Sequence, residues 1–297
     1  MGRAQGLKDA FARGVTLLGL DRLCFAAQKA MLRGKYIRVV NYHGTPARDA
    51  ANFEAHCHLF AQRFVNATKE DLLALVRDGV WDKPRPGIIV TFDDGLRDNY
   101  DIAAPILEKY DLRGWFFVPA EFPDVPVPEQ AAFATQRRLA ALTPGTYADA
   151  RVCMTWDELR DLVRRGHVVG SHTAGHARLR ADLTCEQVER EVVDSRRMMA
   201  ERLGTPCETF CWVGGERESY SAQAAAAVER AGYALSFMTC SAPVVAGSHP
   251  LHIHRTNIES PWPLSLARVH LSGITDLYYR RKRKYVDALT RGLPSHA

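Results

Sequence analysis

The sequence contains no uninterrupted run of about 18–20 apolar residues, which is the length that a membrane-spanning helix requires. Hydrophobic residues make up 46% of the 297 residues, enough to bury a large core, and a quarter of the chain is charged. The first thirty residues also lack a compact apolar segment followed by a small-residue cleavage site. These absences predict a soluble protein without a secretory signal.

Cysteine is scarce and scattered, because the chain has an odd number, seven, and most of them fall inside apolar stretches. This pattern suits buried, reduced thiols better than a disulfide framework. Cys207 and Cys211 are four residues apart but have no second cysteine pair, which argues against a structural zinc ribbon. The cysteines therefore predict a reducing compartment, the cytoplasm.

A basic stripe with interleaved aromatic residues is absent, so nothing predicts a nucleic-acid partner. The net charge is +5, and part of it is concentrated at residues 280–284. These residues fit a solvated helix end, but also attraction to anionic lipid headgroups. An amphipathic stripe between Lys8 and Arg33 is compatible with peripheral contact at the inner face of the membrane, although such helices more often pack on cores.

Strand-like and helix-like segments alternate along the chain. We predict strands at 36–42, 87–92, 113–120, 167–171, 209–213, 233–238 and 252–258, and helices at 8–33, 51–64, 72–76, 99–110, 159–165, 184–203, 221–231 and 263–286. Thr68 and Thr155 begin capping-box patterns. Residues 121–152 break the pattern and are predicted to form a rim or lid. The alternation favours one α/β domain, most simply a parallel barrel (residues 36–262), preceded by an N-terminal helical extension (1–35) and followed by a C-terminal helix and basic tail (263–297).

Polar residues follow several of the predicted strands. Asp93 and Asp94 follow one strand, while His172 and His176 follow another. The C-terminal ends of strands in a parallel barrel meet at one face, so these side chains are expected to converge. Two imidazoles and one carboxylate can hold a divalent metal, and a second carboxylate can move protons. This combination predicts metal-assisted hydrolysis.

The motifs Thr91-Phe92-Asp93-Asp94-Gly95 and Ser171-His172-Thr173-x-x-His176 resemble the first two motifs of the polysaccharide deacetylases, carbohydrate esterase family four. The resemblance runs from about Tyr42 to Ile258. It implies a distorted (β/α) barrel in which Asp94, His172 and His176 bind the metal and Asp93 is the general base. Zinc is the expected ion, with cobalt, nickel and manganese as alternatives.

The third motif departs from the family pattern. Val213 stands where proline is usual, and Gly214 replaces an aromatic residue. The backbone N–H of Gly214 could still face an oxyanion, and Gly215 follows it. The missing ring is expected to change how a sugar packs. Substrate binding is therefore assigned to this segment, with Trp212 as either a stacking platform or a packing residue.

Four further positions carry assignments. His252 and His254 share one face of a predicted strand, and either could protonate a leaving amine or be an ordinary strand residue. Arg255 is assigned to orienting Asp93. His43, at another strand end, is either a substrate-binding rim residue or a core histidine.

The predicted function is metal-dependent removal of N-acetyl, or less readily O-acetyl, groups from a glycan or glycan precursor. A phosphatase of the haloacid dehalogenase type is disfavoured, because Gly95 stands where its second aspartate is needed. Two alternatives stay open: a hydrolase of the same fold acting on another amide (a formamide, a cyclic amide or an acylated amine), and a silent glycan-binding relative.

Overall fold

The computed structural model describes residues 3–139, 147 and 149–290. Its strands are β1 Ile37–Tyr42, β2 Val65–Asn66, β3 Gly87–Phe92, β4 Gly114–Val118, β5 Val168–Ser171, β6 Thr209–Cys211, β7 Leu235–Met238, β8 Pro243–Val244, β9 Ile253–His254 and β10 Thr256–Asn257. Its α-helices are α1 Arg3–Leu17, α2 Leu20–Met31, α3 Ala50–Arg63, α4 Lys69–Asp78, α5 Ala104–Lys109, α6 Val127–Gln136, α7 Trp156–Arg164, α8 Cys185–Glu189, α9 Ser195–Leu203, α10 Ala222–Arg230, α11 Leu264–Leu271 and α12 Asp276–Thr290. Shorter 3₁₀ turns cover Ala47–Asp49, Phe122–Asp124 and Arg217–Ser219, and π-helical turns cover Asn99–Ala103 and Arg190–Asp194.

The strands form one curled sheet in the order β10-β1-β3-β4-β5-β6-β7-β9, with β2 and β8 pairing off this path. Neighbours along the path are parallel. Only Arg255 separates β9 from β10, yet β9 pairs with β7 at one edge and β10 pairs with β1 at the other. The sheet therefore nearly closes at Arg255, and the predicted distorted (β/α) barrel is confirmed.

Alternation along the strands separates two packed layers. Ile37 and Val39 point into the barrel, where they join Phe117, Phe237 and other side chains of one apolar cluster. The intervening residues of the same strands face outward and pack beneath the helices. Apolar side chains fill the barrel interior towards the N-terminal ends of the strands. Inward-facing polar residues therefore reach solvent only at the C-terminal ends.

Two predicted helix starts are confirmed by their caps. The Thr68 hydroxyl accepts a bond from the Asp71 N–H at 3.1 Å, and the Thr155 hydroxyl accepts one from the Glu158 N–H at 3.2 Å. Both carboxylates also accept the cap residue's own N–H, which completes a capping box. Such caps contribute about 1 kcal/mol each.

Several predicted boundaries are wrong. The N-terminal helix is two helices, since Gly19 adopts a φ of +70° between α1 and α2. The C-terminal helix is also interrupted, at Gly273 with a φ of +83°. The last predicted strand is split at Arg255, because its halves pair with opposite edges of the sheet.

The predicted rim, residues 121–152, is more regular than expected. It contains the turn Phe122–Asp124 and helix α6, while residues 140–146 and 148 lie outside the described residues. The division at residues 35 and 262 stays a prediction. Among the helices of residues 3–139 and 149–290, none combines the length and apolar character needed to span a bilayer.

Candidate metal centre and active-site cavity

A cavity of about 780 Å³ opens at the C-terminal ends of the strands. Seven residues singled out from the sequence line it: His43, Asp93, Asp94, His172, His176, Gly214 and Gly215. They come from four separate strand ends, as the barrel prediction requires. The cavity is therefore the candidate active site.

Asp94, His172 and His176 form a compact cluster in this cavity. Oδ1 of Asp94 lies 3.1 Å from Nε2 of His176 and 3.7 Å from Nε2 of His172. One donor atom from each of the three residues lies within 4.8 Å of the others. Small inward adjustments of these side chains would bring the donors to the ~2 Å coordination distances of a tetrahedral ion such as zinc.

Backbone carbonyls hold the two imidazoles in the tautomer that a metal needs. His172 donates from Nδ1 to the Cys211 carbonyl at 2.9 Å, and His176 donates from Nδ1 to the Arg137 carbonyl at 2.7 Å. With Nδ1 donating, Nε2 is the ring atom left to bind a metal, and in both histidines it faces Asp94. This is the outer hydrogen bond that metal-binding histidines commonly make. The residues present thus fit a divalent ion.

The backbone around the cluster is in a sparsely populated conformation. Asp94, Thr173 and His176 have φ values of +75°, +67° and +60°, and Gly95 follows Asp94 with +68°. For residues other than glycine, each such conformation costs of the order of 1 kcal/mol or more, and strain of this kind gathers at functional sites. The surrounding structure therefore holds these candidate ligands in place at a cost in stability.

Glu191, which the sequence analysis missed, fixes the turn that carries the two histidines. Its carboxylate accepts the Gly175 N–H at 2.8 Å, and its carbonyl accepts the Ala174 N–H at 3.2 Å. Glu191 lies in the π-helical turn Arg190–Asp194, a feature that often marks functional regions. Glutamate inside a helix gives no sequence signal of such a contact.

Asp93 forms a buried, bidentate ion pair with Arg255. The guanidinium donates to Oδ1 at 2.6 Å and to Oδ2 at 2.7 Å, and it also donates to the Thr91 hydroxyl at 3.0 Å. Burial by itself raises the pKa of Asp93, but the charge and hydrogen bonds of Arg255 outweigh it and leave the pKa below the usual value. Asp93 is therefore ionised at neutral pH.

The ligand set has the charge pattern expected for a metal site. Burial raises the pKa of Asp94, but the hydrogen bond and charge interaction with His176 outweigh this effect and leave the pKa below its usual value, so the carboxylate is ionised. Burial lowers the pKa of His172 to about 4, so this ring is neutral. Burial also disfavours charged His176, yet Asp94 raises its pKa overall. Metal binding would therefore release a proton from His176 at pH values below its pKa.

Asp93, His172 and Cys211 form a second cluster of donor atoms. This set fits a metal less well. Burial raises the pKa of the Cys211 thiol well above its usual value, so the thiol stays protonated. Both oxygens of Asp93 are already bonded to Arg255.

His43 lies in the cavity and is paired with Glu259. Its Nδ1 and the Glu259 carboxylate are 2.9 Å apart, and Asn257 donates to the same oxygen at 3.3 Å. Burial lowers the pKa of His43, but the Glu259 carboxylate raises it to about 10 overall. His43 therefore carries a proton at neutral pH. Glu259 was not predicted, because it follows the last strand without a motif.

The structure does not bring Trp212, His252 or His254 to the cavity. Trp212 is buried in the outer layer, where its indole N–H donates to the Ser236 hydroxyl at 2.8 Å. Nε2 of His254 lies 2.8 Å from Asp287 of α12, and Nδ1 of His252 lies 3.8 Å from the same oxygen.

The physical reason is strand alternation. Cys211, Ile253 and Arg255 belong to the inward-facing series, so Trp212, His252 and His254 face the helices. Of the alternatives left open for these residues, the structure favours a packing role for Trp212 and ordinary strand positions for His252 and His254.

The Val213-Gly214-Gly215 segment does reach the cavity. Gly214 has a φ of +79°, and an added Cβ would lie 2.7 Å from the Ser219 hydroxyl. An aromatic side chain could not be placed there without moving the backbone. The departure from the family's third motif is therefore built into the local conformation.

The rim of the cavity is rich in arginine, which the sequence analysis also missed. The rim arginines are Arg48, Arg137, Arg138, Arg178 and Arg180. They come from three separate segments of the chain, so no single run of positive charge in the sequence indicates them. They would favour a substrate that carries negative charge.

Comparisons with known proteins agree with this fold. A family model described as polysaccharide deacetylase matches residues 80–236. The Bacillus subtilis (strain 168) protein YxkH, a polysaccharide deacetylase by name, is 25% identical over 190 residues, which are 63% of this chain and 57% of YxkH. The chain therefore spans little more than half the length of this curated relative.

Two solved structures share the fold. The Streptococcus pyogenes deacetylase PplD, solved in complex with acetate, gives a TM-score of 0.59 at 18% identity and covers 75% of this chain and 92% of its own. A de-N-acetylase from Aggregatibacter actinomycetemcomitans gives a TM-score of 0.62 at 17% identity and covers 79% and 99%. Both solved structures are deacetylases by name, and this chain has the same (β/α) barrel fold. This chain belongs to the polysaccharide deacetylase family. The matched segment contains Asp93, Asp94, His172 and His176, whereas His43 and Arg255 lie outside it.

Proposed function

We propose that this chain is a metal-dependent deacetylase that hydrolyses N-acetyl groups, less readily O-acetyl groups, on a sugar. One observation carries the proposal: Asp94, His172 and His176 present donor atoms within 4.8 Å of one another, beside the separately anchored carboxylate of Asp93. A silent glycan-binding protein would need neither the donor set nor an ionised base beside it.

Asp94, His172 and His176 would hold the ion, with zinc as the first candidate. When bound, such an ion can polarise an acyl oxygen and lower the pKa of a water molecule towards ~7. Asp93 would accept a proton from the attacking water, while Arg255 keeps it ionised and fixes its orientation. The N–H group of Gly214 would face an oxyanion in the cavity, whereas the N–H group of Gly215 already donates to the Glu216 carboxylate at 3.2 Å.

His43 is the proposed donor of a proton to the leaving amine. It lines the cavity and is protonated at neutral pH through Glu259, whereas His252 and His254 face α12. An imidazolium at the rim can return a proton after bond cleavage. His43 therefore replaces His252 and His254, the residues considered from the sequence, as the proposed proton donor.

The arginine rim supports a substrate class. Arg137 and Arg138 are exposed beside the cavity, and Arg178 has a Glu216 oxygen 3.5 Å away. Guanidinium groups recognise phosphate and carboxylate oxygens by paired hydrogen bonds. We therefore propose a glycan precursor linked to a phosphate-bearing carrier, lipid or nucleotide, met in the cytoplasm.

The test measures metal content and acetate release together. Wild-type protein should contain about one divalent ion per chain by mass spectrometry, and it should release acetate from acetylated amino sugars in a chelator-sensitive manner. His172→Ala should lose both. His58→Ala, a surface histidine beside Gln62, is the matched control and should keep both. Formamides, acylated amines and p-nitrophenyl acetate, assayed in parallel, separate the alternative substrates. Metal retention by His172→Ala, or chelator-insensitive activity, would contradict the proposal.

A further inference from the structure

The two N-terminal helices attach to the barrel by one face only. Ala12 and Val15 of α1 pack against Leu266 and Val269 of α11 in a small apolar cluster. On α2, Phe25 packs edge-on against Phe64 at a centroid distance of 5.4 Å. These contacts lie on the sides of α1 and α2 that carry their buried residues.

Both helices also expose large apolar side chains outside these contacts. These side chains are between 42% and 86% exposed; they are Leu7, Phe11, Leu17, Leu18, Leu20, Leu23 and Met31, and together they define the outer apolar face. Leu7 and Phe11 are four residues apart on α1, and Leu18 follows the end of this helix. Leu20, Leu23 and Met31 share one stripe of α2, at spacings of three and eight residues. An ordinary surface helix instead exposes polar and charged residues and buries its apolar ones. An exposed apolar patch of this extent marks an interaction surface.

The exposed charged residues near this face are all basic. From residue 6 to residue 35 the exposed charged side chains are Lys8, Arg13, Arg22, Lys29, Arg33 and Lys35. Of the two acids there, Asp9 is half-buried. Asp21 is fully buried, and both of its contacts with Arg268 run to one oxygen, at 2.7 and 2.8 Å.

The C-terminal helix extends the same surface. Gln28 of α2 donates to Asp276 at 3.3 Å, which places the first turn of α12 beside α2. Leu277 and Tyr278 of that turn are exposed. Arg280, Arg281 and Lys284 are exposed too, while Lys282 and Arg283 turn inward and donate to carbonyls after β7.

We propose that the outer apolar face docks this protein on the surface of a bilayer that contains anionic lipids. Leucine, phenylalanine and methionine side chains would enter the boundary between headgroups and acyl chains, and the surrounding lysines and arginines would contact lipid phosphates. A second copy of the chain fits less well, because two such faces would bring like charges together. The inference goes beyond deacetylation and does not depend on it.

The experiment is co-sedimentation of the full chain with phosphatidylcholine vesicles, with and without phosphatidylglycerol. We expect strong binding to the anionic vesicles that weakens with added salt, and little binding to the neutral ones. The combined variant Leu7→Gln, Phe11→Gln, Leu23→Gln should lose binding about tenfold or more. Lys8→Glu with Arg22→Glu should abolish the preference for anionic vesicles.

The matched control replaces exposed valines elsewhere, Val80→Gln with Val127→Gln, and should bind like wild type. All these side chains are exposed, so circular dichroism and activity on a soluble acetylated substrate should not change. Failure of the wild type to bind anionic vesicles, or unchanged binding by the Leu7, Phe11 and Leu23 variant, would overturn the proposal. A dimer in solution that the same variant dissociates would overturn it in favour of self-association.

Discussion

Replacing Arg255 by methionine should destabilise the fold by about 3–5 kcal/mol, because it leaves the Asp93 carboxylate buried without its partner. The two side chains are only 1% and 5% exposed, so water cannot replace the guanidinium. Two hydrogen bonds, of 2.6 and 2.7 Å, are lost at the same time.

The magnitude can be checked against electrostatics. Opposite unit charges about 4 Å apart interact by roughly 4 kcal/mol at an effective dielectric constant of about 20. This figure agrees with the cost found when one partner of a buried ion pair is removed. By contrast, an exposed pair would contribute about 0–1 kcal/mol.

The loss should depend on pH in a defined direction. In the wild type the pKa of folded Asp93 is lowered, so its contribution to stability is present above the unfolded pKa of about 3.9 and disappears as the pH falls. In Arg255→Met, burial is no longer opposed and the pKa of Asp93 rises. The stability difference between the two proteins should therefore shrink in acid, and the acid limb of the activity profile should move to higher pH.

Urea unfolding at several pH values measures the loss, and a double variant supplies the control. Asp93→Asn combined with Arg255→Met removes both charges and should recover most of the stability, although not the activity. A loss below about 1 kcal/mol at pH 7 for Arg255→Met, or a double variant as unstable as the single one, would refute the reasoning.

Two further predictions concern a strained glycine and a buried histidine. Gly95→Ala should lower the free energy of unfolding by about 2 kcal/mol or more, because its φ is +68° and a Cβ would lie 2.7 Å from Val118; Gly204→Ala, with a φ of +72° and open space, should cost only about 1 kcal/mol in the same urea titrations. Burial lowers the pKa of His56 to about 4, so stability should fall by about 3 kcal/mol as the pH drops from 6.5 to 4. His56→Gln should flatten that dependence.

Each of these has a clear contrary result. Equal losses for Gly95→Ala and Gly204→Ala would show that contact with Val118 is unimportant. An unchanged pH slope in His56→Gln would show that His56 titrates normally in the folded protein.

The motif residues were predictable because their signals are local. Asp93 and Asp94 follow an apolar run that can only be a buried strand, and the His172-x-x-x-His176 pair follows another. The capping boxes at Thr68 and Thr155 are equally local, since every bond in them spans three residues. Parallel barrel geometry then brings the strand ends together.

The errors arose where strand phase or distant contacts decide the outcome. Because side chains alternate along a strand, assigning Arg255 to Asp93 already implied that His252 and His254 point to the other face. The sequence also carried no sign that the predicted strand 252–258 is interrupted at Arg255. Gly19 and Gly273 interrupt helices whose periodicity looks continuous in the sequence.

The amino-acid sequence alone determined the alternating elements, the strand ends that bear Asp93, Asp94, His172 and His176, and the caps, because neighbouring residues set all of these. Tertiary structure alone decided that His43 pairs with Glu259, that Glu191 stabilises the turn carrying the two histidines, and that Trp212 packs beneath the helices. Those contacts depend on barrel closure, which requires the pairing of every strand and cannot be deduced from any short segment.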